Sequence, residues 1–279
     1  MTILSTRDLI ITGGCSWTAD YVGFLNDKNP PSIYGWDDEN KKFVETKYVA
    51  QTPFPVWPEI VSKKLGLKLI NTAKVGGGND LIFHRVVDQI YQNADKVKLV
   101  VIAWTDYMRK DLQVYDERWY SSTFGPNADA KKKMFFTSLY KIGSLDSKSC
   151  INYFYRYALS LQQICKSLGI KLIQCQAIGP IKLHTNVEMQ NIGLDYTDVN
   201  LTTSNLKFLS HFVDHYGYDL VENSSTFIDW PVFKALGGSS LKNCLDRANV
   251  NYQISSYDQH PNHTGHHFIA NKILEKINE

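Results

Sequence analysis

Short apolar runs alternate with longer stretches of helical spacing through the first half of the chain. Leu9–Thr12 is a short, mainly apolar run that breaks at Gly13-Gly14, the pattern of a short buried strand. Trp57, Ile60, Val61, Lys64 and Leu65 recur at helical spacing, with Pro58 near the start and Gly66 at the end, which predicts a helix over 57–65. Lys68–Asn71 reads as a second strand. Asn79–Asn93 repeats the helical spacing through Leu81, Ile82, Val86, Val87, Ile90 and Tyr91. Leu99–Ala103 is continuous and rich in β-branched residues, so it reads as a strand buried on both faces. Tyr153–Leu168 predicts an amphipathic helix closed by Gly169, Lys171–Gln176 a fourth strand, and Thr264–Ile277 a final helix.

Strand and helix in strict alternation imply a parallel sheet covered by helices on both faces, a three-layer α/β/α architecture in one domain spanning 1–279. Ligand sites in such sheets lie beyond the carboxyl ends of the strands, which puts Ser16, Gly76 and Thr105 at one edge. Three stretches break the alternation, at about 20–55, 107–149 and 181–256. The pattern predicts that they are long loop insertions around the site rather than further domains. The run Lys131-Lys132-Lys133 lies in the second and reads as a solvated face, with a phosphate or polyanion contact as the alternative.

Composition narrows the class. The chain has 279 residues, is 43% hydrophobic and 21% charged, and carries a net charge of +2, which offers no electrostatic footprint for nucleic acid or a membrane. No apolar run approaches the roughly 18 residues of a membrane span, and residues 1–8 are too short and polar for a secretory leader, so synthesis in a cytoplasm is the expectation. Five cysteines without a Cys-x-x-Cys spacing argue against a zinc knuckle; Cys165 and Cys175 read as buried thiols. Sixteen tyrosines are many, and either packing or sugar stacking would use them.

The candidate chemistry sits at the two ends. Gly13-Gly14-Cys15-Ser16-Trp17-Thr18 follows the first strand, and Asp258-Gln259-His260-Pro261-Asn262 precedes the last helix. A serine hydroxyl is a weak nucleophile until a base accepts its proton, and His260 is the candidate base. A carboxylate would fix the imidazole tautomer, and Asp258 is the nearest. Gly14-Cys15-Ser16-Trp17-Thr18, Asn71-Thr72-Ala73-Lys74-Val75-Gly76, Ala103-Trp104-Thr105-Asp106 and Asp258-Gln259-His260 resemble, in order, the four blocks of the SGNH hydrolases, also called the GDSL esterase/lipase family. The pieces also resemble uncharacterised SGNH-like proteins of bacteriophages.

The resemblance implies a flavodoxin-like SGNH fold and ester hydrolysis without a cofactor or metal. It implies Ser16, Asp258 and His260 as a triad, with the main-chain N–H groups of Ser16 and Gly76 as oxyanion donors. A third donor is expected from a side chain, Thr105 where the family has Asn, or the amide of Asn79. The family spaces its Asp and His by two residues, whereas one separates them here, and Tyr257 holds the usual Asp position. Either Asp258 still reaches the imidazole, or a backbone carbonyl orients His260. Trp17 and Trp104 adjoin the proposed residues and are substrate-binding candidates, with core packing as the alternative.

Other readings of the same residues are weaker. Gly76-Gly77-Gly78 lacks both the dinucleotide and the Walker spacing. His263, His266 and His267 cluster with His260, but no carboxylate or cysteine spacing makes them a metal site, and His263 and His266 read as surface residues of the helix start. Asp106 and Arg109 read as a loop ion pair. The expected partner is a small-molecule or glycan ester, O-acetylated glycan first, with association into a virion or a homo-oligomer as a further expectation. Two rival functions remain: a non-catalytic structural or glycan-binding component of a larger assembly, and an O-acyltransferase.

Overall fold

In the computed structural model, the described residues are 7–19, 33–37, 42–46, 54–107, 109–113, 119–121, 134, 138, 146–180, 203–254 and 259–279. The frame is a four-stranded parallel sheet of β1 (Leu9–Gly13), β4 (Lys68–Asn71), β5 (Val97–Trp104) and β8 (Lys171–Gln176), in the spatial order β4-β1-β5-β8. Two antiparallel hairpins, β2 (Ile33–Asp37) with β3 (Lys42–Thr46) and β6 (Asp111–Gln113) with β7 (Trp119–Ser121), lie in the first two interruptions. The chain leaves β1 for β4 on one side and later adds β5 on the other. β1 therefore flanks the point where the winding reverses, the switch point at which α/β sheets form crevices. The fold is α/β with a central parallel sheet, as the alternation predicts.

Strand side chains alternate between two cores. Ile10, Leu99, Val101, Ala103 and Ile173 face one side; Ile11, Val100, Ile102, Trp104 and Leu172 face the other. The first core is closed by α1 (Trp57–Leu65), α6 (Leu241–Arg247) and α7 (His263–Asn278), through residues such as Val61, Leu245 and Ile269. The second is closed by α2 (Asn79–Gln92), α3 (Ser147–Ser167), α4 (Thr203–Val213) and α5 (Gly217–Glu222), through Val86, Phe154, Phe212 and Val221. Helix ends follow their sequence signals: Gly66 closes α1 in a left-handed conformation (φ 65°), and the Asp146 carboxylate accepts the Ser149 N–H at 2.7 Å to start α3. That cap begins α3 six residues before the predicted Tyr153, and Cys150 and Ile151 in the added turns carry the apolar spacing of Phe154 and Tyr155 into the same core.

The third interruption is not a loop insertion over its described part. Residues 203–247 carry α4, α5 and α6 and enter both cores through Phe208, Phe212, Phe227, Ile228 and Leu241. The Gln174 N–H donates to the Thr226 carbonyl and the Ile228 N–H to the Gln174 carbonyl, both at 2.8 Å, which prolongs the parallel sheet beside β8. All five cysteines are free and buried. No helix among the described residues is long and apolar enough to cross a membrane. Lys131–Lys133 lies outside the described residues.

Candidate active site

β1 ends at Gly13, and the chain then makes one turn over Cys15–Ala19, with the Thr18 and Ala19 N–H groups both donating to the Cys15 carbonyl at 3.0 Å. Gly14 is required there, since a Cβ would stand 2.1 Å from Thr18 Oγ1. Cys15, Trp17 and Thr18 are buried by this turn while Ser16 stays partly exposed. The Ser16 main-chain N–H donates to none of the described residues.

Ser16 Oγ lies 2.7 Å from His260 Nε2, across 244 residues of chain. This is the normal distance of an O–H···N hydrogen bond. His260 is partly exposed and held from behind. Its carbonyl accepts the Ile254 N–H at 3.0 Å, and Gln253 bridges Pro261 in antiparallel fashion. Asn262, the N-cap of α7, accepts the Gly265 N–H at 3.1 Å. Its amide donates to the Asn251 and Gln253 carbonyls, both at 3.0 Å. One residue thus starts the helix and fixes the strand-like segment beside the base. Asp258 lies outside the described residues.

The loop after β4 lies against the Ser16 turn. The Lys74 N–H donates to the Gly14 carbonyl at 3.1 Å and the Thr72 N–H to the Thr12 carbonyl at 2.8 Å. The Asn71 amide donates to the Thr18 carbonyl at 2.9 Å, while its oxygen accepts from Thr12 Oγ1 and the Ala73 N–H, both at 3.1 Å. Gly76 turns through the left-handed region (φ 74°), where glycine is unstrained. The Asp111 carboxylate accepts the Gly78 and Leu81 N–H groups at 2.6 and 3.2 Å, capping α2 just past the glycines. Lys110 pairs with Asp80, to which Tyr157 also donates, so this anchor is a buried charged cluster.

The side-chain donors expected from Thr105 and Asn79 take other roles. Thr105 is fully buried, and its hydroxyl has no hydrogen-bond partner among the described residues. The Asn79 oxygen accepts the Thr105 N–H at 2.9 Å, and its amide donates to the Thr105 carbonyl at 3.2 Å. The carbonyl also accepts from Gln176 at 2.9 Å. A donor to substrate must be reachable, and neither of these is; Asn79 instead fastens the loop after β5 to the start of α2. Trp104 likewise does not line a pocket. It is fully buried, donates from Nε1 to Gln174 at 2.9 Å and meets Phe154 edge-on, on the face of the sheet away from α1 and α7. Trp17 is 5% exposed and packs in the other core against Tyr252.

His266 also departs from expectation. It is buried rather than a surface residue of the helix start, and its Nδ1 accepts the Trp57 N–H at 3.2 Å. Burial, with smaller contributions from His260, His263 and His267, pushes its pKa down to about 3, so the ring is neutral. His263 is exposed as expected and meets His267 at a tilt of 58°, ring centroids 4.5 Å apart. Arg109 donates its main-chain N–H to the Asp106 carbonyl. No group of three or more metal-ligating side chains occurs among the described residues.

No family model matches the chain, and no curated protein matches it. Among solved structures it is similar to an acetyl xylan esterase, AlAXEase, at 13% identity and a TM-score of 0.43, over 96% of this chain and 99% of that one. It is also similar to Axe2, an acetylxylan esterase from Geobacillus stearothermophilus, at 12% identity and a TM-score of 0.42, over 99% of this chain and 96% of that one. Likeness at this level bears on neither activity nor substrate.

Proposed function

We propose that the chain is a serine ester hydrolase in which Ser16 is the nucleophile and His260 the base. The observation that carries the reading is the 2.7 Å contact between Ser16 Oγ and His260 Nε2 at the carboxyl edge of the sheet. Ser16 Oγ attacks the acyl carbonyl carbon while its proton passes to His260 Nε2. The tetrahedral intermediate collapses with cleavage of the bond to the alcohol oxygen, which takes the proton from His260. Water then attacks the acyl-enzyme, its proton passes to His260, and the acid is released as Ser16 is reprotonated. In this reading Nδ1 of His260 carries the other proton, and Asp258 or a carbonyl orients it. The Ser16 N–H is the first oxyanion donor, with the Gly76 N–H as the second by family resemblance; one such donor is worth about 3–4 kcal/mol.

The substrate class to test first is O-acetylated carbohydrate, the expectation that accompanies the family resemblance. Hydrolysis of p-nitrophenyl acetate and labelling by a fluorophosphonate probe test the chemistry together. Wild type is expected to turn over and to gain one adduct by intact mass. Ser16→Ala should lose both, with a rate at least about 10³-fold lower and an unchanged fold. A folded wild type that does neither would sink the reading and leave the non-catalytic one. Acyl transfer to an added sugar acceptor in preference to water would make the protein an acyltransferase.

A further inference from the structure

We infer that Trp57 and His266 are positioning residues that hold the Ser16 turn and the His260 segment in one frame; the inference rests on the reading of that pair as nucleophile and base. The two reacting groups belong to loops at opposite ends of the chain, and proton transfer between them needs their separation fixed to a fraction of an ångström. A rigid body that touches both loops would provide this, and the start of α1 is such a body.

Trp57 is the first residue of α1 and is fully buried. Its indole Nε1 donates to the carbonyl of Trp17, the residue after Ser16, at 3.1 Å. Its main-chain N–H donates to His266 Nδ1 at 3.2 Å. His266 lies on α7, six residues past His260 and four past the Asn262 cap that fixes the His260 segment. One residue therefore holds the nucleophile turn with its side chain and the base segment with its backbone.

The local chemistry explains the choice of residues. The first N–H groups of a helix have no intrahelical acceptor, and the N-cap here is Val56, whose side chain cannot accept. His266 supplies the missing acceptor from another helix, and being neutral it can accept at Nδ1 while Nε2 keeps its proton. Phe54 covers the imidazole, ring centroids 5.8 Å apart. Trp17, Trp57 and His266 are 5%, 0% and 1% exposed, so water cannot substitute for either bond.

The test compares Trp57→Phe, His266→Leu and His266→Asn with wild type, each checked for folding by circular dichroism. Asn carries an oxygen where Nδ1 stands, whereas Leu removes the acceptor. Trp57→Phe and His266→Leu are expected to lower kcat and the fluorophosphonate labelling rate about ten- to hundredfold with little change in KM, as misplacement of a catalytic pair does. His266→Asn should recover most of that loss. Wild-type kcat in folded Trp57→Phe, or Asn no better than Leu, would overturn the inference. If His266→Leu does not fold, Trp57→Phe, which keeps the helix start, decides alone.

If wild type itself neither turns over nor takes the probe, the hydrolase reading fails and the tie is read by nuclear magnetic resonance. Trp57→Phe should then still shift the ring-nitrogen signals of His260 while leaving those of exposed His263 in place. Unmoved His260 signals would overturn the positioning role by itself.

Discussion

The two faces of the sheet are built from different materials. The face covered by α2 to α5 is aromatic: Tyr107 stacks on Phe154 at 4.1 Å, Phe212 meets Phe233 and Trp230, and Tyr155 stacks on His215. The face covered by α1, α6 and α7 is mostly aliphatic, and its buried aromatics, Trp17, Trp57 and Tyr252, adjoin the loops that carry Ser16 and His260. Apolar area serves the first; hydrogen-bonded placement serves the second. The abundance of tyrosine, open in the sequence to sugar stacking, is partly accounted for by packing at Tyr107 and Tyr155, which are buried on the aromatic face. Burial pushes the hydroxyls of both well above the ordinary phenol range.

The hardest test of this contrast is to remove mass from the aromatic face. Phe154→Ala should cost about 3–5 kcal/mol of stability in urea titrations, because a fully buried ring with several ring partners leaves a cavity. The folded fraction should still label at Ser16 at the wild-type rate; loss of labelling would mean that the two faces are not separable.

A smaller effect is expected from acid on the site face. Below about pH 6.5 the unfolded chain binds a proton at His266, while the folded protein excludes it until the pH nears 3. The stability contributed by the neutral ring is therefore complete above the unfolded pKa and is lost as pH falls. Between pH 7 and pH 4.5 the loss should be roughly 2–3 kcal/mol. Denaturant titrations of His266→Asn at the same two pH values should show that much less dependence; an unchanged slope would deny the buried imidazole this role.

The smallest effect belongs to neither core. Tyr216 is 71% exposed beside His215, so Tyr216→Ser should stay within about 0.5 kcal/mol of wild type by thermal denaturation. A larger loss would extend the aromatic face to the surface.

The frame was legible because its signals are local. Continuous apolar runs mark β1 and β5, and Pro58 and Gly66 bracket α1 within the limits of helix assignment. Residues 203–247 were not legible as structure, because short helices separated by bends and an aromatic core contact carry no sustained period. Trp104 was misplaced for a related reason. Adjacency to Thr105 suggested the site, but alternation along β5 sends its ring to the opposite face.

The amino-acid sequence by itself determined the alternating α/β plan, the strand edge at which Ser16 lies, and the residue types able to do acyl chemistry, since spacing and turn residues encode each within a few positions. Only the tertiary structure decided which side chains meet. It set Ser16 against His260, spent Asn79 and Thr105 on each other, and buried His266 under the start of α1. Those pairings join residues 26 to 244 apart in the chain, and their geometry is fixed by packing between layers, which no local pattern records.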